Sequence, residues 1–281
     1  MTPYGFLFLF VLIGLAPAAP TLPDAAQIVK KSVAVNDADW RMQPKYVHEE
    51  RDVESKVDSE GKVVGKKEKA YRVQMIDGSQ YNTLIAINGE PLSSEQKSEE
   101  ESKLKAEIAK RATQSSSERT ARTQKYKKDR DEEHLLLQQM TQAFTFKLAG
   151  EEKIDGRDCY VLDATPDPDY QPPVTKARVL TGMKGRMWIE KTGYHWARVK
   201  AEVFRSVEFG LFLAKVSPGT EFQLDQTPVE GSIWMPSHFS QRVNAKVLGI
   251  YSIRSAHDEY YSNYQRQDNR PRAHVAAEAS R

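Results

Sequence analysis

The clearest alternation of apolar and polar positions runs from Gly185 to Ser206. Met187 and Ile189 alternate with Arg186, Trp188 and Glu190. After Lys191-Thr192-Gly193-Tyr194, one side carries Ala197, Val199, Ala201 and Val203, and the other Trp196, Arg198, Lys200, Glu202 and Phe204. Alternation with a period of two, broken by a Gly-containing turn, predicts a half-buried hairpin. Its small-to-medium apolar side needs a cover, either a helix of the same chain or a ligand.

The same pattern recurs on both sides of a helical stretch. Residues 45–57 and 62–76 predict a charged hairpin around Asp58-Ser59-Glu60-Gly61, and Tyr81–Ile87 a further strand between turns at Asp77-Gly78 and Asn88-Gly89. Strands are also expected over 144–165, with a turn at Asp155-Gly156, and then over 208–216, 221–226, 232–243 and 246–261. Even spacing of this kind predicts an antiparallel meander, of about ten to eleven strands at typical strand lengths. Pro166–Pro173 reads as a rigid loop crossing one end of the sheet. Residues 24–35 predict a short amphipathic helix capped by Asp24, with Ile28, Val29, Ser32 and Val33 on one face.

Residues 93–143 contain no Gly and no Pro, and Ser93-x-x-Gln96 fits a capping box. Between Glu95 and Glu133 there are ten acidic and eleven basic residues, so the pattern predicts one long helix or two in succession with a solvated middle. Two readings of this arm stay open: a lid or partner-binding arm, or a solvated helix packed by its ends. Because 113–130 is almost free of apolar residues, its removal is expected to cost little.

Strands on both sides of the arm make one domain, 19–264, simpler than two. The chain has 281 residues, of which 39% are hydrophobic and 28% charged, with a net charge of +2. That balance gives no reason for a nucleic-acid partner. Phe6–Leu15 followed by Ala16-Pro17-Ala18 reads as a cleavable export signal over 1–18, too short to span a bilayer. The expected mature chain has no membrane span and no cysteine for lipid attachment. It is expected to be secreted, most simply into a bacterial periplasm. Cys159 is the single cysteine and lies in an apolar run, so a buried, inert thiol is expected. The stretch from 265 to 281 is rich in Arg, Asn and Ala and is expected to be disordered.

Catalytic and metal motifs are missing from the sequence. His257-Asp258-Glu259 offers one HxE pair, short of the three convergent ligands that a metal needs, and Ser237-His238 are neighbours that face opposite ways on a strand. No nucleotide-binding or hydrolase fingerprint occurs. No enzyme, cofactor or metal is therefore expected. The aromatic set Trp188, Trp196, Phe204, Phe209, Phe212, Trp234 and Phe239 reads as core or as pocket lining.

A strand Met187-Trp188-Ile189-Glu190 turns back into Arg198-Val199-Lys200-Ala201-Glu202, preceded by Gly150–Leu162 (GEEKIDGRDCYVL) and followed by Gly210-Leu211-Phe212-Leu213-Ala214. With the export signal and the interrupted meander, these resemble the LolA-like superfamily of periplasmic lipoprotein carriers over roughly residues 24–262. The resemblance implies an α+β fold: a strongly curved antiparallel sheet, an open half-barrel, with helices on its concave face and a cavity between them for acyl chains. The arm at 93–143 exceeds that pattern, and no residue here aligns with the superfamily's lid arginine. Candidate cavity residues are Met187, Ile189, Ala197, Val199, Ala201 and Val203. The partners implied are an acyl lipid or a lipoprotein. The alternative is an envelope protein–protein interaction or sensor module whose core is filled by its own side chains.

Overall fold

The computed structural model describes residues 23–58, 60–209, 214–247 and 251–267. The expected export signal at 1–18 and most of the expected tail lie outside these residues. Among the described residues, thirteen antiparallel strands form one sheet that does not close, with helices on one face. The strands are β1 (Tyr46–Val57), β2 (Val63–Ile76), β3 (Ser79–Ile87), β4 (Glu90–Pro91), β5 (Phe144–Ile154), β6 (Arg157–Pro166) and β7 (Met183–Glu190). There follow β8 (Trp196–Val203), β9 (Val207–Phe209), β10 (Ala214–Val216), β11 (Glu221–Glu230), β12 (Ile233–Val247) and β13 (Tyr251–Arg266). Their order across the sheet is β4-β3-β2-β1-β13-β12-β11-β8-β7-β6-β5, with β10 beside β12 and β9 beside β10. The count exceeds ten to eleven because β4, β9 and β10 are two or three residues long. The single strand expected over 208–216 is instead β9 and β10, which pair antiparallel with each other.

Turn chemistry fixes three of the hairpins. Asp77-Gly78, Asn88-Gly89 and Asp155-Gly156 each place two consecutive residues at positive φ, 47° and 85°, 53° and 84°, 47° and 80°. Two positive φ values in a row give the two-residue turn whose twist matches that of the strands it joins.

Helix α1 (Ala25–Met42) starts where Asp24 accepts a hydrogen bond from the Ala26 amide at 3.2 Å. It outruns the expected end at residue 35 because its buried stripe turns polar: Ile28, Val29 and Ser32 are followed by Asn36 and Asp39. These polar groups are paired except for Asn36 Oδ1, which is buried without a hydrogen-bond partner. The Asn36 amide donates to Ser32 O at 2.9 Å, and Asp39 meets His195 Nδ1 at 2.8 Å.

The charged arm forms two helices, α2 (Ser94–Ala112) and α3 (Ser116–Ala143). Ser93 with Gln96 caps the first, and Ser115 with Glu118 repeats the device for the second. Ser115 is thus the start of a new helix within the serine run.

Two clusters pack the helices on the sheet. Ile28 and Val29 of α1 meet Leu162, Met187, Ile189 and Trp196. Ala143 and Phe144 meet Ala164, Met183 and Val203, together with Tyr170 and Leu180 from the connection between β6 and β7. At the other end of the chain, β13 carries regular structure past the expected boundary at 264. Gln267 exchanges hydrogen bonds with the Met75 backbone at 3.1 and 2.8 Å.

Candidate ligand cavity

The cavity grows from the strand faces. Met187 pairs with Val199, Gly185 with Ala201 and Met183 with Val203, so these side chains share the face toward the helices. Ala164 stands opposite Gly185 from β6, and Phe222 and Leu224 stand opposite Ala201 and Val199 from β11. The row Ala164, Gly185 and Ala201 crosses three neighbouring strands with almost no side chain, and large groups bound it. A cavity of about 820 Å³ lies over this row, between the sheet and the helices. Trp40 of α1 and Tyr126, Arg130, His134 and Met140 of α3 form its helical side. Gly185 cannot gain a side chain, because a Cβ there would sit 2.6 Å from Lys200 O.

The six residues singled out by sequence take three positions. Met187, Val199 and Ala201 line the cavity. Ile189 and Val203 point to the same face but are sealed beside it, at 0% and 1% exposure, in the two packed clusters. Ala197 lies on the opposite face with Cys159, Val161 and Trp188. The cause is a bulge: Trp188 pairs with Arg198 and Ile189 with Trp196, leaving Ala197 as the extra residue. The bulge turns Trp196 inward, where its Nε1 donates to Ser32 Oγ at 3.0 Å. Trp188 is 8% exposed in the apolar patch on that opposite face, and its indole donates to Glu152 at 2.7 Å. Cys159 is fully buried in that patch, and burial pushes its thiol pKa up. Of the aromatic set, Trp196, Trp234 and Phe239 line the cavity, whereas Phe204 is 44% exposed. Phe212 lies outside the described residues.

Sequence reasoning missed the polar end of the cavity. His48, Glu50, Glu259, Tyr261 and Tyr264 line it from β1 and β13. His48 stacks on Tyr264 with ring centroids 5.0 Å apart, Tyr264 OH donates to Pro236 O at 2.8 Å, and Tyr261 OH donates to Glu259. Burial raises both phenol pKa values, further raised by Glu259 for Tyr261 and by Glu50 for Tyr264. Asp52 stands across from Glu259 in register. Burial, then the carboxylates of Glu50 and Glu259, push Asp52 from 3.8 to about 7. A folded-state pKa above the unfolded one means that ionisation opposes folding, so stability is lost as pH rises through about 7. Asp52→Asn is therefore expected to raise the melting temperature at pH above about 7 and to leave it unchanged below about 4, read by thermal denaturation across that range.

The arm that closes the cavity is held by polar contacts. Arg122 donates to Asp77 O at 3.0 Å, Asp77 Oδ2 at 2.8 Å and Ser79 Oγ at 2.7 Å. Arg130 donates to Trp40 O at 2.7 Å and lies over the Trp40 ring, on which His134 stacks at 4.0 Å while contacting Asp37 at 2.7 Å. The contacts of 113–130 argue against the expectation that the segment is dispensable. The segment has almost no apolar residues, yet its arginines grip the turn between β2 and β3, and Tyr126 and Arg130 wall the cavity. Replacing it with a short linker is expected to lower the melting temperature by several degrees, about 1–3 kcal/mol for the lost charged contacts, as differential scanning calorimetry would read.

The HxE pair does not assemble into a larger centre. His257 Nε2 lies 3.6 Å from Glu259, while Asp258 points to the other face and bonds His238 at 3.0 Å. Among the described residues, no group of three or more His, Cys, Asp or Glu could hold a metal, and no helix is long and apolar enough to cross a membrane.

No family model matches the chain, and no curated protein does. Solved structures are similar to it over most of its length. One is a LolA superfamily protein of Nitrosomonas europaea, with 11% identity, TM-score 0.33, and coverage of 89% of this chain and 96% of that one. Another is a putative outer membrane lipoprotein-sorting protein domain of Vibrio parahaemolyticus, with 9% identity, TM-score 0.34, and coverage of 87% and 95%. A third is the lipoprotein LppX of Mycobacterium tuberculosis, with 10% identity, TM-score 0.30, and coverage of 87% and 96%.

Proposed function

We propose that this chain is a non-enzymatic carrier or receptor of the bacterial envelope, acting in the periplasm. It takes an acyl lipid or a lipidated protein into the cavity between its curved sheet and its helices. The observation that carries the reading is the 820 Å³ cavity over the bare row Ala164, Gly185 and Ala201. Its size falls within the range of roughly 300–1,000 Å³ typical of small-molecule sites. Met140, Phe144, Met183, Met187 and Phe222 surround that row, which suits flexible alkyl chains, because methionine adapts to irregular apolar shapes. In this reading the acyl chain lies at the methionine end, and the His48–Glu50–Tyr261 end meets the polar part of the ligand.

One observation favours the second reading, an envelope interaction module. α2 is charged and largely exposed, and it presents Ile108 to solvent at 37% exposure. An open cavity argues against the self-filled core that this reading supposed.

Uptake of bis-ANS and of a fluorescent fatty acid tests the proposal. Ala201→Trp fills the floor of the cavity, where Ala201 is only partly buried at the edge of the Ala143–Val203 cluster, and the variant is expected to lose uptake while circular dichroism reads a folded protein. Val199→Asp is expected to fold as well, because its side chain faces the cavity, and to weaken uptake about tenfold. Wild-type protein that takes up neither probe would overturn the proposal, as would Ala201→Trp protein that takes up both like wild type.

A further inference from the structure

Beside the main cavity lies a second, smaller hollow of about 240 Å³, bounded by α1, α3 and Trp196. Lys30, Ala34 and Gln138 are exposed and bring it to the surface. On its inner side stand Asn36, His134 and Trp196, and the same three residues line the main cavity. The two spaces therefore share a wall.

Two atoms of that wall have nothing to bond. Asn36 is 6% exposed and His134 4%. The Trp196 indole is occupied by Ser32 Oγ. Asn36 donates through Nδ2 to Ser32 O at 2.9 Å, but its Oδ1 is buried with no hydrogen-bond partner. His134 Nε2 meets Asp37 at 2.7 Å, but its Nδ1 is buried with no partner either. Buried polar atoms are nearly always bonded, because one left alone has given up water and gained nothing. Two of them on one wall, with open space on both sides, call for a group that arrives from outside the chain.

The chemistry of that group follows from the two atoms. Asn36 Oδ1 only accepts. Asp37 also pairs with Arg41 and is a carboxylate, so the His134 nitrogen facing it is the one that carries a proton. Nδ1 is then an acceptor in the neutral ring and a donor in the protonated ring. A hydroxyl serves either state, because it both donates and accepts. A carboxylate has no proton for Asn36 Oδ1, and an ammonium has no lone pair for a protonated His134. The position agrees. Along α3, His134 lies between Met140, at the apolar end of the cavity, and Arg130. Along the chain from α1, Asn36 is followed by Trp40 and then by Tyr46 and His48 toward the polar end. The wall stands where an acyl chain gives way to its first polar group.

We infer that Asn36 and His134 form a hydroxyl-binding subsite, and that the ligand of the cavity carries a free hydroxyl next to its acyl chain, as a glycerol ester does. The inference rests on the acyl-lipid reading above.

Displacement of bis-ANS by monolauroylglycerol and by methyl laurate tests it. The two esters share one acyl chain, and only the first has free hydroxyls. Wild-type protein is expected to favour monolauroylglycerol. Asn36→Leu and His134→Phe are each expected to cut the ratio of the two affinities about tenfold and to leave methyl laurate binding unchanged. Leucine is close to asparagine in shape, and phenylalanine keeps a ring stacked on Trp40, so both variants are expected to fold, as circular dichroism would read. The ratio compares two ligands on one protein, so a merely structural loss would weaken both esters alike. A ratio that neither variant lowers would overturn the inference and leave the acyl cavity standing. Binding of neither ester to wild-type protein would overturn the cavity reading, and the inference with it.

Discussion

Ile189→Asp is expected to leave no folded protein at neutral pH. Ile189 is 0% exposed, wedged between Ile28 and Val29 of α1 and the sheet residues Leu162, Met187 and Trp196. Losing its apolar burial costs about 2–3 kcal/mol. A carboxylate held there without a partner costs several more, or stays protonated at a similar penalty. Together these approach the whole stability of an ordinary domain, about 5–15 kcal/mol. Val199→Asp, on the neighbouring strand and the same face, is the control: its side chain looks into the cavity, where water can solvate a charge. Circular dichroism on heating separates the two. A cooperative transition near the wild-type temperature in Ile189→Asp would mean that α1 does not seal the sheet at this point.

Arg111→Ala is expected to cost about 3 kcal/mol and to loosen the whole arm. The Arg111 side chain is 6% exposed and lies at the end of α2. Its guanidinium donates to Ile76 O at 2.7 Å, to Ser79 O and Ser79 Oγ at 3.0 Å each, and to Glu107 at 2.7 Å. Truncation leaves backbone acceptors and a carboxylate without their donor, the costly half of any buried hydrogen bond. Arg111→Lys is expected to recover little, because a single ammonium cannot reproduce a planar fork that serves acceptors in several directions. Urea unfolding measures the loss, and hydrogen exchange locates it in α2 and at the turn between β2 and β3. A loss below about 1 kcal/mol would mean that the arm is held elsewhere.

What was readable in the sequence tracks how local the physics is. The paired turns at Asp77-Gly78, Asn88-Gly89 and Asp155-Gly156, the capping box at Ser93 and the charged helical arm depend on residues within a few positions of one another, and each formed where expected. The bulge at Ala197 was not readable, since strict alternation puts Ala197 inward and Trp196 outward, and only pairing with β7 reveals the extra residue. Burial of Asn36 and Asp39 was hidden for the same reason: their partners, or the cover over them, come from far along the chain. The cavity was half legible. Ala201 and Val199 stood out as small or medium groups, but the bare row needs Ala164 and Gly185 beside Ala201, which only the registers of three strands bring together. The polar end was hidden because His48, Glu50 and Asp52 alternate with Glu49, Arg51 and Val53, so charge falls on both faces of β1 and neither face reads as buried.

Whether the cavity holds an acyl chain is read by native mass spectrometry of the protein purified from its own host, followed by solvent extraction. The protein is expected to carry an extra mass of several hundred daltons that extracts as an acyl lipid, and that is missing from Ala201→Trp protein prepared in the same way. Wild-type protein recovered consistently at its bare mass, and unable to take up an added fatty acid, would contradict it.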